Sequence, residues 1–164
     1  EEMRANFETS IVDLPRDMLI QQPVLATSAQ TIVLVTEFTL AAARDTIRLL
    51  SWLKTYAPQA SVLIVANRVH PAAQAEIAQG DFEGSIERPV DFLIPYDQKL
   101  VVQAAKVGKP IAELGKTSRT IAPLIALAGR ICASAQGTDQ MRGKRSLLDK
   151  IDLKAFLPKR ARAN

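Results

Sequence analysis

The sequence has 164 residues, 48% of them apolar, with one cysteine (Cys132), one histidine (His70) and a net charge of +4. These counts fit one ordinary globular domain, and they exclude an internal disulfide, a multi-histidine metal site and a serine-type triad. No apolar run approaches the eighteen or so residues of a membrane-spanning helix. The basic charge lies in residues 137–164, which carry 8 Lys/Arg against 3 Asp/Glu. A nucleic-acid interface would therefore have to lie in this tail, and we expect no specific nucleic-acid binding.

The first predicted element is a strand in "TSIVDLPRD", which ends at Asp13 and is stopped by Pro15. Three further runs, "TIVLV" (31–35), "SVLIV" (61–65) and "VDFLI" (90–94), are almost continuously apolar. Such runs are typical of parallel strands that are covered on both faces. A loop or short helix is expected between the last two.

Helices are predicted between and after these strands. Thr39 is expected to cap the first, which fades near Pro58, and Asp97 to cap the second, which Gly108 and Pro110 close. A third is expected over about 118–135. The predicted buried positions are, in helix order, Leu40, Ala43, Ile47, Leu50 and Leu53; then Leu100, Val101, Ala104 and Val107; then Ile121, Leu124, Ile125, Ala128 and Ile131 or Cys132.

Alternation of strands and helices predicts an α/β fold with a mostly parallel sheet and flanking helices. Ligands of such sheets bind beyond the carboxyl ends of the strands. Asp13, Thr36, Asn67 and the segment 95–97 each follow a predicted strand, so we expect them to share one edge. The sequence therefore predicts a single site there.

Two motifs suggest other functions. "GKT" at 115–117 looks like the end of a phosphate loop, but the glycine required five positions before Gly115 is Pro110, and the segment follows a helix. A helix-capping loop is the better interpretation. A receiver-like signalling domain would use Asp13, Thr36 and Lys109, yet no acidic pair precedes Asp13 and Lys109 follows a helix.

An apolar strand that ends in Asp before a proline turn is also typical of the Mg²⁺-side carboxylate of nucleotide-hydrolysing domains. In order along the chain, "SIVDLPR", "LVTEFTLAAARDTIRLLSWL", "LIVANRV", "DFEGSIERPVDFLIPYD" and "AAKVGKPI" resemble the C-terminal half of MinD/ParA-type ATPases. "DLPR" and "DFE" look most like the CpaE/TadZ branch, which helps place Flp/Tad-type pili.

The resemblance implies binding of ATP and Mg²⁺. It makes Asp13 the metal-side carboxylate, places Asn67 at the adenine edge with Arg68 beside it, and lets Pro95 and Asp97 flank the base. It also implies a homodimer, partners in the pilus or secretion machinery, and a cytoplasmic location, polar or peripheral at the inner membrane. Residues 1–136 would form the C-terminal half of the ATPase domain.

The sequence departs from the MinD-type pattern in two places. Arg16 and Asp17 follow the proline turn, where relatives have a small residue and glycine. The family's glycine-rich phosphate loop would precede residue 1, so this chain is expected to be part of a longer protein and not to hydrolyse ATP by itself. The alternative function is a catalytically silent scaffold that recruits partners.

Residues 137–164 are predicted to form a linker, a short helix and a basic end. Leu147, Leu148, Ile151 and Ala155 have helical spacing among lysines. Such a helix can lie on an anionic membrane, or it can pack on its own domain or a partner.

Overall fold

A computed structural model of the chain describes residues 6–7, 9–71, 75–116 and 118–136. The predicted tail helix and basic end lie outside these residues. The elements, in chain order, are α1 (Arg16–Gln21), α2 (Val24–Thr27), β1 (Thr31–Thr36), α3 (Leu40–Tyr56), β2 (Ser61–Val69), α4 (Gln79–Ile86), β3 (Phe92–Pro95), α5 (Gln98–Val107), α6 (Ile111–Leu114) and α7 (Ile121–Gln136).

The strands form a parallel sheet in the order β1-β2-β3. Thr31 pairs with Ser61 and Thr36 with Ala66, so β1 and the first part of β2 pair residue by residue without a register shift. The last part of β2 continues beyond the end of β1 and pairs with β3. The α/β fold predicted from the sequence is confirmed, and the observed sheet is parallel, as predicted.

The predicted strand before Asp13 is wrong. Residues 9–15 are irregular, and α1 begins directly after Pro15. Ile11 is 82% exposed and Val12 58% exposed, so neither joins the core. A strand needs a neighbour for its backbone hydrogen bonds, and no described strand pairs with this segment. Asp13 therefore does not follow a strand of this sheet.

The helix caps are confirmed. The Thr39 hydroxyl accepts a hydrogen bond from the Ala42 amide at 3.1 Å. Helix α3 ends at Tyr56, two residues before Pro58. Helix α5 is closed by Gly108, whose φ of 64° is the left-handed conformation that glycine tolerates.

The predicted helix faces are correct only in part. On α3 the buried residues are Ala43, Thr46 and Leu53, whereas Leu40 and Ile47 are exposed. The buried face of α3 thus includes Thr46, whose hydroxyl lies 3.1 Å from the buried Thr36 hydroxyl on β1. Val101, Val107, Ile125 and Ala128 are likewise exposed, against prediction.

Two buried clusters hold α3 against the sheet. The first contains Ala26, Leu34, Leu53 and Ala57, and the second contains Ala43, Ile64, Phe82 and Ile86. Because α3 contributes to both, it fixes the short helices before β1 and α4 after β2 to one framework.

The "GKT" segment has a packing function. Gly115 terminates α6, and a Cβ added there would lie 2.5 Å from Leu100 Cδ2 and 3.1 Å from the Ile111 carbonyl oxygen. Gly115 is needed for this close approach, in agreement with the helix-capping interpretation. Among the described residues, no helix combines the length and apolar character needed to cross a membrane.

Candidate functional site

The carboxyl ends of β1, β2 and β3 bring most of the predicted site residues to one edge of the sheet. Thr36 is the last residue of β1, and Pro95 is the last residue of β3. Asn67 and Arg68 are among the last three residues of β2. Asp97 follows two residues later as the cap of α5. Parallel pairing of the three strands makes this convergence unavoidable. Asp13 lies on the irregular segment before α1 and is exposed.

Strand β2 is distorted at Asn67 and Arg68. Its pairing with β3 is irregular between Ala66 and Val69, and Arg68 has a φ of 52°. The Asn67 side-chain oxygen accepts a hydrogen bond from the Arg68 amide at 2.9 Å, and this bond stabilises the irregular backbone. Bulges and left-handed non-glycine residues are concentrated at functional sites, because they redirect side chains at a cost in stability.

We expect Arg68→Gly to be more stable than Arg68→Ala by about 1 kcal/mol, because both variants lose the guanidinium but only glycine adopts this φ freely. Urea unfolding of the two variants measures the difference. Equal stabilities would contradict the left-handed geometry at Arg68.

An ion pair links the ends of β1 and β2. Arg68 Nη1 lies 3.5 Å from Glu37 Oε1, and the two side chains are 66% and 46% exposed. Such a solvated pair contributes at most about 1 kcal/mol. The pair matters because it places the Arg68 guanidinium close to the end of β1. Sequence reasoning did not identify Glu37, which carries no motif of its own.

The Asp97 carboxylate is held by two hydrogen bonds. Oδ1 accepts from the Leu100 amide at 3.0 Å, and Oδ2 accepts from the Ser118 hydroxyl at 2.8 Å. The Leu100 amide first, and the Ser118 hydroxyl next, lower the pKa of Asp97 below its usual value. The bond to Ser118 also links the start of α5 to the turn before α7.

Because the folded-state pKa of Asp97 is lowered, its stabilising effect is present above the unfolded pKa of about 4 and is lost as pH falls through the folded value. Asp97→Asn keeps an acceptor but no charge. We therefore expect the wild type to lose stability more steeply than Asp97→Asn between pH 5 and about 2. Urea midpoints across this range measure the effect, and parallel curves would contradict it.

An aromatic pair at the same edge was not predicted. The His70 and Tyr96 rings have centroids 4.3 Å apart at 35°, and the Tyr96 amide donates to the Val69 carbonyl at 3.0 Å. Tyr96 is 44% exposed. The only sequence signal was the position of each residue directly after a strand.

Two other predicted groups have structural partners. Thr36 is buried and its hydroxyl contacts Thr46, and Lys109 Nζ lies 2.6 Å from Glu113 Oε1. Lys109 follows α5 rather than a strand. Neither arrangement supports a receiver-like site. Within the described ranges, no group of three or more His, Cys, Asp or Glu side chains could hold a metal ion.

No protein-family model matches this sequence, and no curated protein matches it at a significant level. Solved structures do resemble it. A ParA family ATPase from Chlorobium tepidum TLS is 22% identical with a TM-score of 0.51, over 65% of this chain and 40% of that one. The MinD cell division protein of Aquifex aeolicus is 17% identical with a TM-score of 0.53, over 75% and 48%.

A MinC:MinD cell division protein complex, also from Aquifex aeolicus, gives 18% identity and a TM-score of 0.51, over 73% of this chain and 45% of the other. The chain thus spans less than half the length of each structure. At these identities the likeness concerns the fold. The chain has the α/β fold of MinD and ParA-type structures over the matched region.

Proposed function

We propose that this chain belongs to a MinD/ParA-like ATP-binding protein, of the CpaE/TadZ branch, that helps to place or assemble Flp/Tad-type pili. The observation that carries the nucleotide part is the convergence of Asn67, Arg68, Pro95 and Asp97 at one sheet edge, with the bulge at the first two. The "DLPR" and "DFE" motifs, which look most like the CpaE/TadZ branch, support that branch and its pilus role.

Asn67 is suited to a purine edge. Its side-chain oxygen accepts a hydrogen bond from the Arg68 amide and has a second lone pair for a ligand. Its NH₂ group can donate two hydrogen bonds. A carboxamide can therefore donate to a ring nitrogen and accept from an exocyclic amine. Pro95 would lie against the base from the neighbouring strand, and Asp97 would add an acceptor without losing its helix cap.

The residues present fit Mg²⁺ only as a lightly held ion. Mg²⁺ keeps several waters and is commonly bound by one or two carboxylates with substrate phosphates. Asp13 would supply one such oxygen, directly or through water. When bound, the ion neutralises phosphate charge; Asp13 only positions it.

The test is calorimetric titration of the complete natural protein, with whatever sequence adjoins this chain, using ATP with Mg²⁺. We expect Asn67→Ala to weaken ATP binding by about tenfold, the effect of one lost polar contact to a bound ligand. Asp13→Ala should reduce the Mg²⁺-dependent part of the affinity. Gln103→Ala and Asp17→Asn, at exposed positions, are the matched controls. Unchanged affinity in both site variants would refute the assignment.

In this proposal the protein is cytoplasmic, polar or peripheral at the inner membrane, and ATP promotes a homodimer that recruits pilus or secretion components. The tail of residues 137–164 provides any membrane contact. Co-sedimentation of the complete protein with anionic vesicles, with and without this tail, tests that element; equal binding of both forms would contradict it.

A silent scaffold is the second candidate, and one contact favours it. Arg16, which follows the Asp13 turn where MinD-type sequences have small residues, forms a 2.5 Å ion pair with Asp45 on α3. This part-exposed pair links the segment after Asp13 to α3, an arrangement that differs from the small residues of the MinD-type switch. Phosphate release by the complete protein distinguishes the two: steady turnover rejects the scaffold, and ATP binding without release supports it.

A further inference from the structure

We propose that the His70–Tyr96 pair is a stacking surface for the base of the nucleotide, an assignment that rests on the proposed function. No motif predicted it. The inference comes from the position of the pair, its exposure and the way its backbone is fixed.

The backbone beside both rings is fixed by the sheet. Val69 and Pro95 are partners in the β2–β3 register, and the Tyr96 amide continues the ladder by donating to the Val69 carbonyl at 3.0 Å. His70 directly follows Val69. The two rings are therefore carried by adjacent strand ends, and their centroids lie 4.3 Å apart. A surface held in this way loses little entropy when a ligand binds.

The pair remains accessible. Tyr96 is 44% exposed although it packs on His70, and His70 is half-buried. By contrast, Phe82, in the described aromatic pair with Phe38, is fully buried and belongs to the core. An exposed aromatic surface at the ligand edge of a parallel sheet is suited to a flat apolar ligand, and nucleobases stack on such rings.

In this proposal the same ligand reaches Asn67 and the ring pair. Asn67 precedes His70, the first residue after β2, by three positions, which is at most about 10 Å of chain at about 3.3 Å per residue. The two elements have different chemistry. Stacking accepts every base, whereas the carboxamide reads the donor and acceptor pattern of the base edge.

The experiment compares ATP, GTP and inorganic tripolyphosphate binding to the complete natural protein. Tyr96→Leu should weaken ATP and GTP by the same factor, at least about fivefold, and leave tripolyphosphate unchanged. Tyr96→Phe should bind like the wild type. Asn67→Ala, by contrast, should change the ratio of ATP to GTP affinity.

Tyr56→Leu is the matched control, because Tyr56 is 45% exposed and stacked on Trp52 with centroids 4.7 Å apart, yet lies at the end of α3 rather than at the site. It should bind all three ligands normally. An NMR titration of the wild type provides a second readout: the His70 ring protons, assigned with a His70→Ala variant, should shift with ATP and not with tripolyphosphate.

The outcomes separate the two proposals. If Asn67→Ala weakens ATP binding while Tyr96→Leu does not, or if the His70 signals stay fixed, the stacking surface is refuted and the proposed function stands. If Tyr96→Leu weakens tripolyphosphate equally, the effect is general damage and the inference fails. If the wild type binds no nucleotide, both proposals fail.

Discussion

Phe82→Ala is expected to lower the free energy of unfolding by about 3–5 kcal/mol, the usual cost of truncating a fully buried phenylalanine. Phe82 on α4 has no exposed surface and packs with Ala43, Ile64 and Ile86. Its ring lies 5.3 Å from that of Phe38 at an interplanar angle of 60°, so truncation also removes an aromatic contact.

Urea unfolding followed by circular dichroism measures this loss. Phe7→Ala is the matched control, because Phe7 is 65% exposed and its truncation should change stability by less than about 0.5 kcal/mol. A loss below 1 kcal/mol at Phe82 would mean that α4 does not pack on the sheet as described.

This prediction bears on the "DFE" motif, which contributed to the resemblance to the CpaE/TadZ branch. Phe82 fills the core, and Glu83 Oε1 accepts hydrogen bonds from Gln79 at 3.0 Å and from the Val90 amide at 2.9 Å. The bond from Gln79 first, and that from Val90 next, lower the pKa of Glu83. The motif thus connects α4 to the segment before β3, so its role in this structure is in packing and hydrogen bonding.

The sequence predicted those features that depend on local chemistry. Continuous β-branched runs became β1, β2 and β3, and the polar side chains of Thr39 and Asp97 capped helices. Helical spacing indicated amphipathic helices but not the exact buried face. That face is set by contacts with elements distant in the chain, which for α3 are the sheet and α4.

Features that depend on partners distant in the chain were not predictable. The segment 9–15 has the composition of a strand, yet strand formation requires a paired neighbour. The left-handed Arg68 lies where β2 continues past the end of β1, and its ion pair joins it to Glu37, which is distant in the chain. The contact of His70 with Tyr96 needs the β2–β3 register, which no local pattern specifies.

Asp91→Ala should lower the free energy of unfolding by about 1–3 kcal/mol, because it leaves a buried amide without an acceptor. Asp91 Oδ2 accepts from the Ile64 amide at 2.8 Å, and the Asp91 amide donates to the Ile64 carbonyl at 2.9 Å. Ile64 has no exposed surface, whereas Asp91 is exposed, so water can replace the lost carboxylate only in part. Asp91→Asn retains an acceptor and should lose less.

Amide hydrogen exchange locates the effect. In Asp91→Ala the Ile64 amide should exchange faster than in Asp91→Asn, and unchanged protection there would contradict the contact. Strand β3 has only four residues, and Asp91 anchors its start while Pro95 and Tyr96 leave its end toward the candidate site. Loss of the anchor should therefore also speed exchange of the Tyr96 amide, because the same short strand carries both ends.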